Sequence, residues 1–142
     1  MPPDSTLVIT GDHGMVDVAP EDRIDFDQEP ALQPGVRLLA GEPRARHVYT
    51  RAGAQQDVLA AWRERLGDQV WVLEREDAID RGWFGPTVTD SARARIGDVI
   101  AAAHGPVGIV QPSVLSVEAL LVGHHGSLTA AEQLVPFLAV SN

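Results

Sequence analysis

The chain has 142 residues, of which 44% are hydrophobic and 22% charged, a balance that suits one folded domain with a core of its own and excludes a disordered segment. It contains no cysteine, so a disulfide framework, a thiolate zinc site and a cysteine nucleophile are all excluded. Eleven basic residues against twenty acidic ones leave a net charge of −9, which argues against a nucleic-acid surface because phosphate backbones need a basic stripe.

A small phosphate-bearing ligand is still compatible with that charge, since a bound metal can reverse the local field. All the basic residues are arginine, which reads as codon usage in the source and not as function. No apolar run approaches the roughly 20 residues that span a bilayer. The opening Met-Pro-Pro-Asp has neither the basic nor the apolar region of a signal peptide. The expectation is therefore a soluble chain, cytoplasmic in the first instance, with any export signal of a longer parent lying out of view.

The first element is Thr6-Leu-Val-Ile-Thr10, a β-branched run of the kind that forms a buried strand. It stops at Gly11-Asp12-His13-Gly14. Asp17 to Pro34 is acidic, carries three prolines and lacks periodicity, so a long loop is expected. Val36–Ala40 and Arg46–Thr50 read as strands. Gln55–Leu66 reads as a helix with Val58, Leu59, Trp62 and Leu66 on one face, stopped at Gly67. Val70–Leu73 is the next strand, followed by a short helix over Asp77–Arg81 and a turn at Trp83-Phe84-Gly85-Pro86. Asp98–Ala103 and Val107–Val110 read as two strands of a hairpin turning at His104-Gly105-Pro106. After a partly looped stretch to Gly123, Thr129 and Glu132 fit a capping box that opens a short helix, and Pro136–Val140 reads as a terminal strand. Mixed strands and helices of this kind predict an α/β fold.

Two segments carry candidate chemistry. Neighbouring side chains on a strand face opposite ways, but at a strand end flanked by glycines the backbone can turn and let Asp12 and His13 converge. A carboxylate oxygen with an imidazole nitrogen suits zinc or a similar divalent ion. The other reading of the same tetrapeptide is a glycine-rich turn with an aspartate cap and an exposed histidine. His124-His125-Gly126 offers one imidazole to a metal and another to packing, or else is a polar loop before a helix. His47 fits a strand face and His104 a turn.

Taken together, Leu7-Val-Ile-Thr-Gly-Asp-His-Gly-Met15 resembles the strand and metal loop of the alkaline-phosphatase superfamily, closest to its type I phosphodiesterase/nucleotide pyrophosphatase group. His125-Gly-Ser-Leu-Thr129, with Glu132 and Val135-Pro136, resembles the late metal histidine of that group and the helix and strand after it. Arg95-Ile-Gly-Asp98 also matches the family style, as a structural turn. The resemblance spans nearly the whole chain and implies the C-terminal part of an alkaline-phosphatase-like sheet over residues 1–142. Residues 46–86 would form a small strand–helix–strand subdomain inserted between the two motifs.

Carried over by residue, the resemblance implies that Asp12 and His13 ligate one of two divalent metal ions, expected to be zinc, and that His125 ligates the other. His124 is the fallback, because the family places its ligand directly before glycine. The same pattern also requires an early Asp ligand, a Thr or Ser nucleophile at a helix start and an Asp-x-x-x-His pair, all upstream of the Asp-His-Gly loop. Only eleven residues precede Asp12, and no later hydroxyl sits in a matching context. The expectation is thus one portion of a metal-dependent phosphoric ester hydrolase acting on a phosphate-ester small molecule, with no catalytic nucleophile in this chain and little activity when isolated. Exposed sheet edges, Leu7–Thr10 above all, are expected to favour self-association. Two other outcomes stay open at this point: a different superfamily activity (phosphomonoesterase, sulfatase or mutase), and a non-catalytic α/β binding module whose Asp-His-Gly loop is structural.

Overall fold

A computed structural model describes residues 2–142. In chain order the strands are β1 (Thr6–Thr10), β2 (Val16–Asp17), β3 (Arg23–Asp25), β4 (Val36–Glu42) and β5 (Ala45–Thr50). Helix α1 (Gln55–Leu66), β6 (Val70–Glu74), α2 (Arg75–Asp80) and α3 (Asp90–Arg93) follow. The chain then runs through β7 (Val99–Ala103), β8 (Gly108–Val110), β9 (Gly123–His124), α4 (Ala130–Gln133) and β10 (Phe137–Ser141). The fold is mixed α/β. No helix among the described residues is long and apolar enough to cross a membrane.

The centre is a four-stranded antiparallel sheet in the order β4-β5-β7-β6. Strand β7, Val-Ile-Ala-Ala-Ala, is buried along its whole length, as a strand covered on both faces must be. On one face Val70, Val72, Val99 and Ala101 meet Val58, Leu59, Trp62 and Leu66 of α1, the helical stripe expected from the sequence. On the other face Leu73 and Ile100 meet Ala78 and Ile96, with Trp83 and Phe84 packed against them. Each fully buried Val, Leu or Phe side chain contributes roughly 1.5–3 kcal/mol through lost apolar hydration, so these two layers hold the centre together.

Several elements differ from the sequence expectation. His104-Gly105-Pro106 does not turn a hairpin. Strand β7 pairs with β5 and β6, while β8 leaves the sheet and pairs in parallel with β3. The cause is at hand: the backbone N–H groups of His104 and Gly105 both donate to the carbonyl of Gln69, which leads the chain away from β7. The stretch read as a long loop holds β3 and two short 3-10 turns, because Val18, Phe26 and Leu32 anchor it in the core. Three isolated apolar anchors have no periodicity to reveal them. Helix α2 starts two residues earlier than predicted, and α3 was not anticipated.

The Arg95–Asp98 segment is a structural turn, as the sequence suggested. Asp98 accepts from Arg75 Nη2 at 2.5 Å and from the Thr50 backbone N–H at 2.8 Å. Strand β1, expected from its β-branched run to be buried, is exposed along its whole length. It pairs antiparallel with β10 from Thr6↔Ser141 to Thr10↔Phe137, giving a two-stranded ribbon whose residues are exposed on both faces.

Candidate functional site

Strand pairing between distant parts of the chain builds the site. The β1–β10 ribbon delivers Gly11-Asp12-His13-Gly14 at one end, and β2 pairs with β9 through Val16↔His124 and Asp17↔Gly123. Between these two ladders the Gly14 N–H donates to the Glu132 carbonyl at 2.8 Å. Only glycine can sit there, since a Cβ on Gly14 would lie 1.8 Å from the Ala131 carbonyl oxygen. The early loop is thereby held against the first turn of α4 and the late histidine loop.

The consequence is a direct contact between the two motifs. The rings of His13 and His125 stack with centroids 3.7 Å apart and planes within 16° of parallel. His13 Nδ1 lies 2.9 Å from the Gly14 carbonyl. A carbonyl can only accept, so Nδ1 carries the proton and, in the neutral ring, Nε2 keeps its lone pair. That Nε2 faces Asp12 Oδ2 at 3.7 Å. Asp12 is exposed, and its Oδ1 accepts the His13 backbone N–H at 3.0 Å. This bond, together with its own backbone N–H and the His13 imidazole, holds the Asp12 carboxyl below the usual carboxylate range. The glycine-flanked turn therefore does bring adjacent Asp and His side chains to one place.

His124 turns the other way. It is buried, its Nε2 lies 3.1 Å from the Leu121 carbonyl, and burial is the main cause that lowers its pKa. The two adjacent histidines thus divide the tasks, His125 facing His13 and His124 facing the interior. His47 and His104 sit elsewhere: His47 Nδ1 accepts from the Gly97 N–H, and His104 stacks on Trp71. Among the described residues no three His, Asp or Glu side chains converge closely enough to hold a cation by themselves. Asp12, His13 and His125 form instead a paired arrangement with one further imidazole alongside.

Sequence reasoning missed what holds the late loop in place. Glu132 does not complete the expected capping box, because the Thr129 side chain accepts no backbone N–H and instead donates to Glu132 Oε2 at 2.5 Å. Arg44, 1% exposed, forks onto the same carboxylate with Nε and Nη2 both at 2.9 Å. Its remaining donors reach the carbonyls of Gly105, Val107 and Ala103. Glu132 also accepts the Ser127 N–H. Burial pushes the Glu132 pKa up, yet the bonds from Arg44, Thr129 and Ser127 outweigh it, and the net direction is down. A second buried pair, Arg46 with Glu118, anchors the segment before the loop. Nothing local in the sequence marks either pair. The arginine-only composition was the one available signal, since a planar fork can satisfy several carbonyls and a carboxylate at once where an ammonium cannot.

The family profile described as type I phosphodiesterase / nucleotide pyrophosphatase matches residues 2–128. Among solved structures, human ectonucleotide pyrophosphatase / phosphodiesterase 5 is 26% identical, with a TM-score of 0.70 over 96% of this chain and 33% of that one. The murine form is 21% identical, with a TM-score of 0.74 over 99% of this chain and 35% of that one. Phosphonoacetate hydrolase from Sinorhizobium meliloti is 20% identical, with a TM-score of 0.64 over 95% and 36%. No curated protein matches the chain. The chain spans about a third of the length of the solved structures it resembles.

Proposed function

This chain belongs to the type I phosphodiesterase / nucleotide pyrophosphatase family, and from that premise we propose that it supplies part of the metal-binding site of a phosphoric ester hydrolase. The contact between His13 and His125 carries the reading. Two nearly parallel imidazoles 3.7 Å apart set their in-plane lone pairs in separate layers. That spacing is close to the roughly 3.5–4 Å that separates paired cations in two-metal phosphoryl-transfer sites. Asp12 and His13 would hold one divalent cation, expected to be zinc, and His125 the other. The Nδ1–H of His13 bonded to a carbonyl is the support that metal-ligating histidines commonly have. When bound, such cations polarise a phosphoryl oxygen and lower the pKa of an attacking hydroxyl.

The residues of this chain perform the positioning. Asp12 stays ionised over the whole physiological range and supplies negative charge opposite the cations. Gly14 and the Arg44–Glu132 pair fix the separation of the two loops. We place the nucleophile and the remaining ligands outside these 142 residues, because the hydroxyls near the site are already engaged. Ser127 Oγ is fully buried and donates to the Ala103 carbonyl at 2.6 Å, and Thr129 donates to Glu132. The substrate class is a phosphate-ester small molecule, in line with the murine structure solved with AMP, a phosphate monoester. The apolar β1–β10 ribbon is the surface through which isolated copies would associate.

Zinc titration by calorimetry tests the reading. Asp12→Asn, His13→Asn and His125→Asn should each weaken binding at least ten-fold, while a folded His124→Asn variant should bind as the parent does. Hydrolysis of a generic phosphodiester by the 142-residue chain should stay at background. Zinc binding untouched by His13→Asn and His125→Asn, or rapid turnover by the isolated chain, would overturn it.

A further inference from the structure

We infer that Trp71, Trp83 and Arg81 form a separate ligand site, a stacking platform for a flat aromatic ring that carries a negative charge. The three side chains line, with Leu128, a pocket of about 160 Å³. Trp71 lies on β6 between two buried valines, yet is 39% exposed itself. One face of its indole is backed by His104, with centroids 4.6 Å apart and planes 29° from parallel. Trp83 stands at 56° to Trp71 with centroids 6.1 Å apart, so the two indoles make an open wedge. Packing from behind fixes the wedge before anything enters it, because Trp83 rests on the Leu73–Ala78–Ile96–Ile100 cluster.

Arg81 supplies the charge. Arg44, Arg46, Arg65, Arg75 and Arg93 each pair with a carboxylate. The exposed Arg81 guanidinium has no such partner and no hydrogen-bond acceptor among the described residues. Arg51 and Arg95 likewise lack a carboxylate partner, but Arg81 is the one that lines the tryptophan pocket, and beside two indole faces its charge selects an anionic ring over a neutral one. The location is also specific. Trp71 pairs with Ala102, Ala102 with Ala45, and Gly126 packs over Ala45 on that same sheet face. At about 4.8 Å per strand, the wedge lies on the order of 10 Å from the loop that presents His125. The ring site stands on its own residues; its use as the seat of the non-phosphoryl arm of an ester rests on the hydrolase reading.

The three tryptophans allow a direct test on the full chain by the indole N–H signals in nitrogen-15 NMR. Trp62 is fully buried and donates to the Leu32 carbonyl, so it reports folding and should not respond to ligand. The probes are 2-naphthoate, 2-naphthalenemethanol and acetate. Naphthoate should shift the Trp71 and Trp83 signals and leave Trp62 still, the neutral alcohol should do so more weakly, and acetate should do neither. Trp71→Leu should weaken naphthoate binding roughly ten-fold, as loss of one stacking partner does, with the Trp62 signal showing that the variant is folded. Arg81→Gln should remove the preference for naphthoate over the alcohol. Unmoved Trp71 and Trp83 signals at millimolar naphthoate, or a preference that survives Arg81→Gln, would overturn the proposal. An unsubstituted chain that binds no zinc while the ring shifts are intact would count against the hydrolase reading alone.

Discussion

Replacing Arg44 by methionine removes five hydrogen bonds from a side chain that is 1% exposed. The larger effect falls on its partner. The Glu132 side chain is as buried as that of Arg44, and without the guanidinium it is left as a charge in a low-dielectric site. Breaking a buried pair on one side costs about 3–5 kcal/mol, whereas replacing both partners with apolar groups of similar volume is often close to neutral. Arg44→Met should therefore lose about 3–5 kcal/mol in urea denaturation, with a fall in melting temperature on the order of 10–20 °C. Arg44→Met/Glu132→Leu should recover most of that loss. The pH dependence gives an independent check. In the parent, Glu132 has a lowered pKa, so its contribution is present above the unfolded value near 4.5 and is lost as pH falls through the folded value. In Arg44→Met the bonds from Thr129 and Ser127 remain, but the guanidinium that opposed the effect of burial is gone, so the Glu132 pKa should rise relative to the parent and the penalty should shrink as pH falls and Glu132 takes up a proton. A double variant no more stable than Arg44→Met, or a penalty that does not change with pH, would refute this account of the loop anchor.

Further outcomes follow from other contacts. Gly14→Ala puts a methyl group on a backbone carbonyl, which no rotamer change can relieve. It should cost more than the roughly 1–3 kcal/mol of ordinary overpacking, and proton NMR should show the His13 and His125 rings no longer in contact. Burial lowers the His47 pKa, and its Nδ1 accepts the Gly97 N–H, so the fold holds it neutral. Below about pH 6.5 the unfolded chain binds a proton that the folded chain does not, and stability should fall with pH. His47→Asn, which keeps an acceptor, should flatten that part of the urea midpoint profile; an unchanged slope would contradict the assignment. In the ribbon, Leu138 is 59% exposed, and Leu138→Lys should lower the sedimentation-average mass if isolated copies join through that edge.

Much of this architecture was legible wherever the physics is local. The α1 stripe could be read because helical periodicity and burial are the same fact, and β7 because a run of small and β-branched residues suits a strand covered on both faces. The hairpin was misread because Gly105-Pro106 looks like a turn at short range, while the partner of β8 is β3, far back in the chain. Asp12, His13 and His125 could be singled out by residue type and by likeness to a known pattern. Their stacking could not, since it depends on β1–β10 and β2–β9 pairing between opposite ends of the sequence. Arg44 and Glu132 were invisible for the same reason: their bond joins residues 88 positions apart.

The chain's two extremities lie side by side, since the Asn142 N–H donates to the Ser5 carbonyl at 3.2 Å. Most of the polypeptide must be threaded into a loop before the two imidazoles can meet, and closing so long a loop is an entropic toll levied late in folding. A circular permutant that splices residue 142 to residue 2 and opens at the exposed Gly53 turn would shorten the chain between those partners from 112 positions to 29. With less chain to close, the histidine contact should form faster on refolding than it does in the parent.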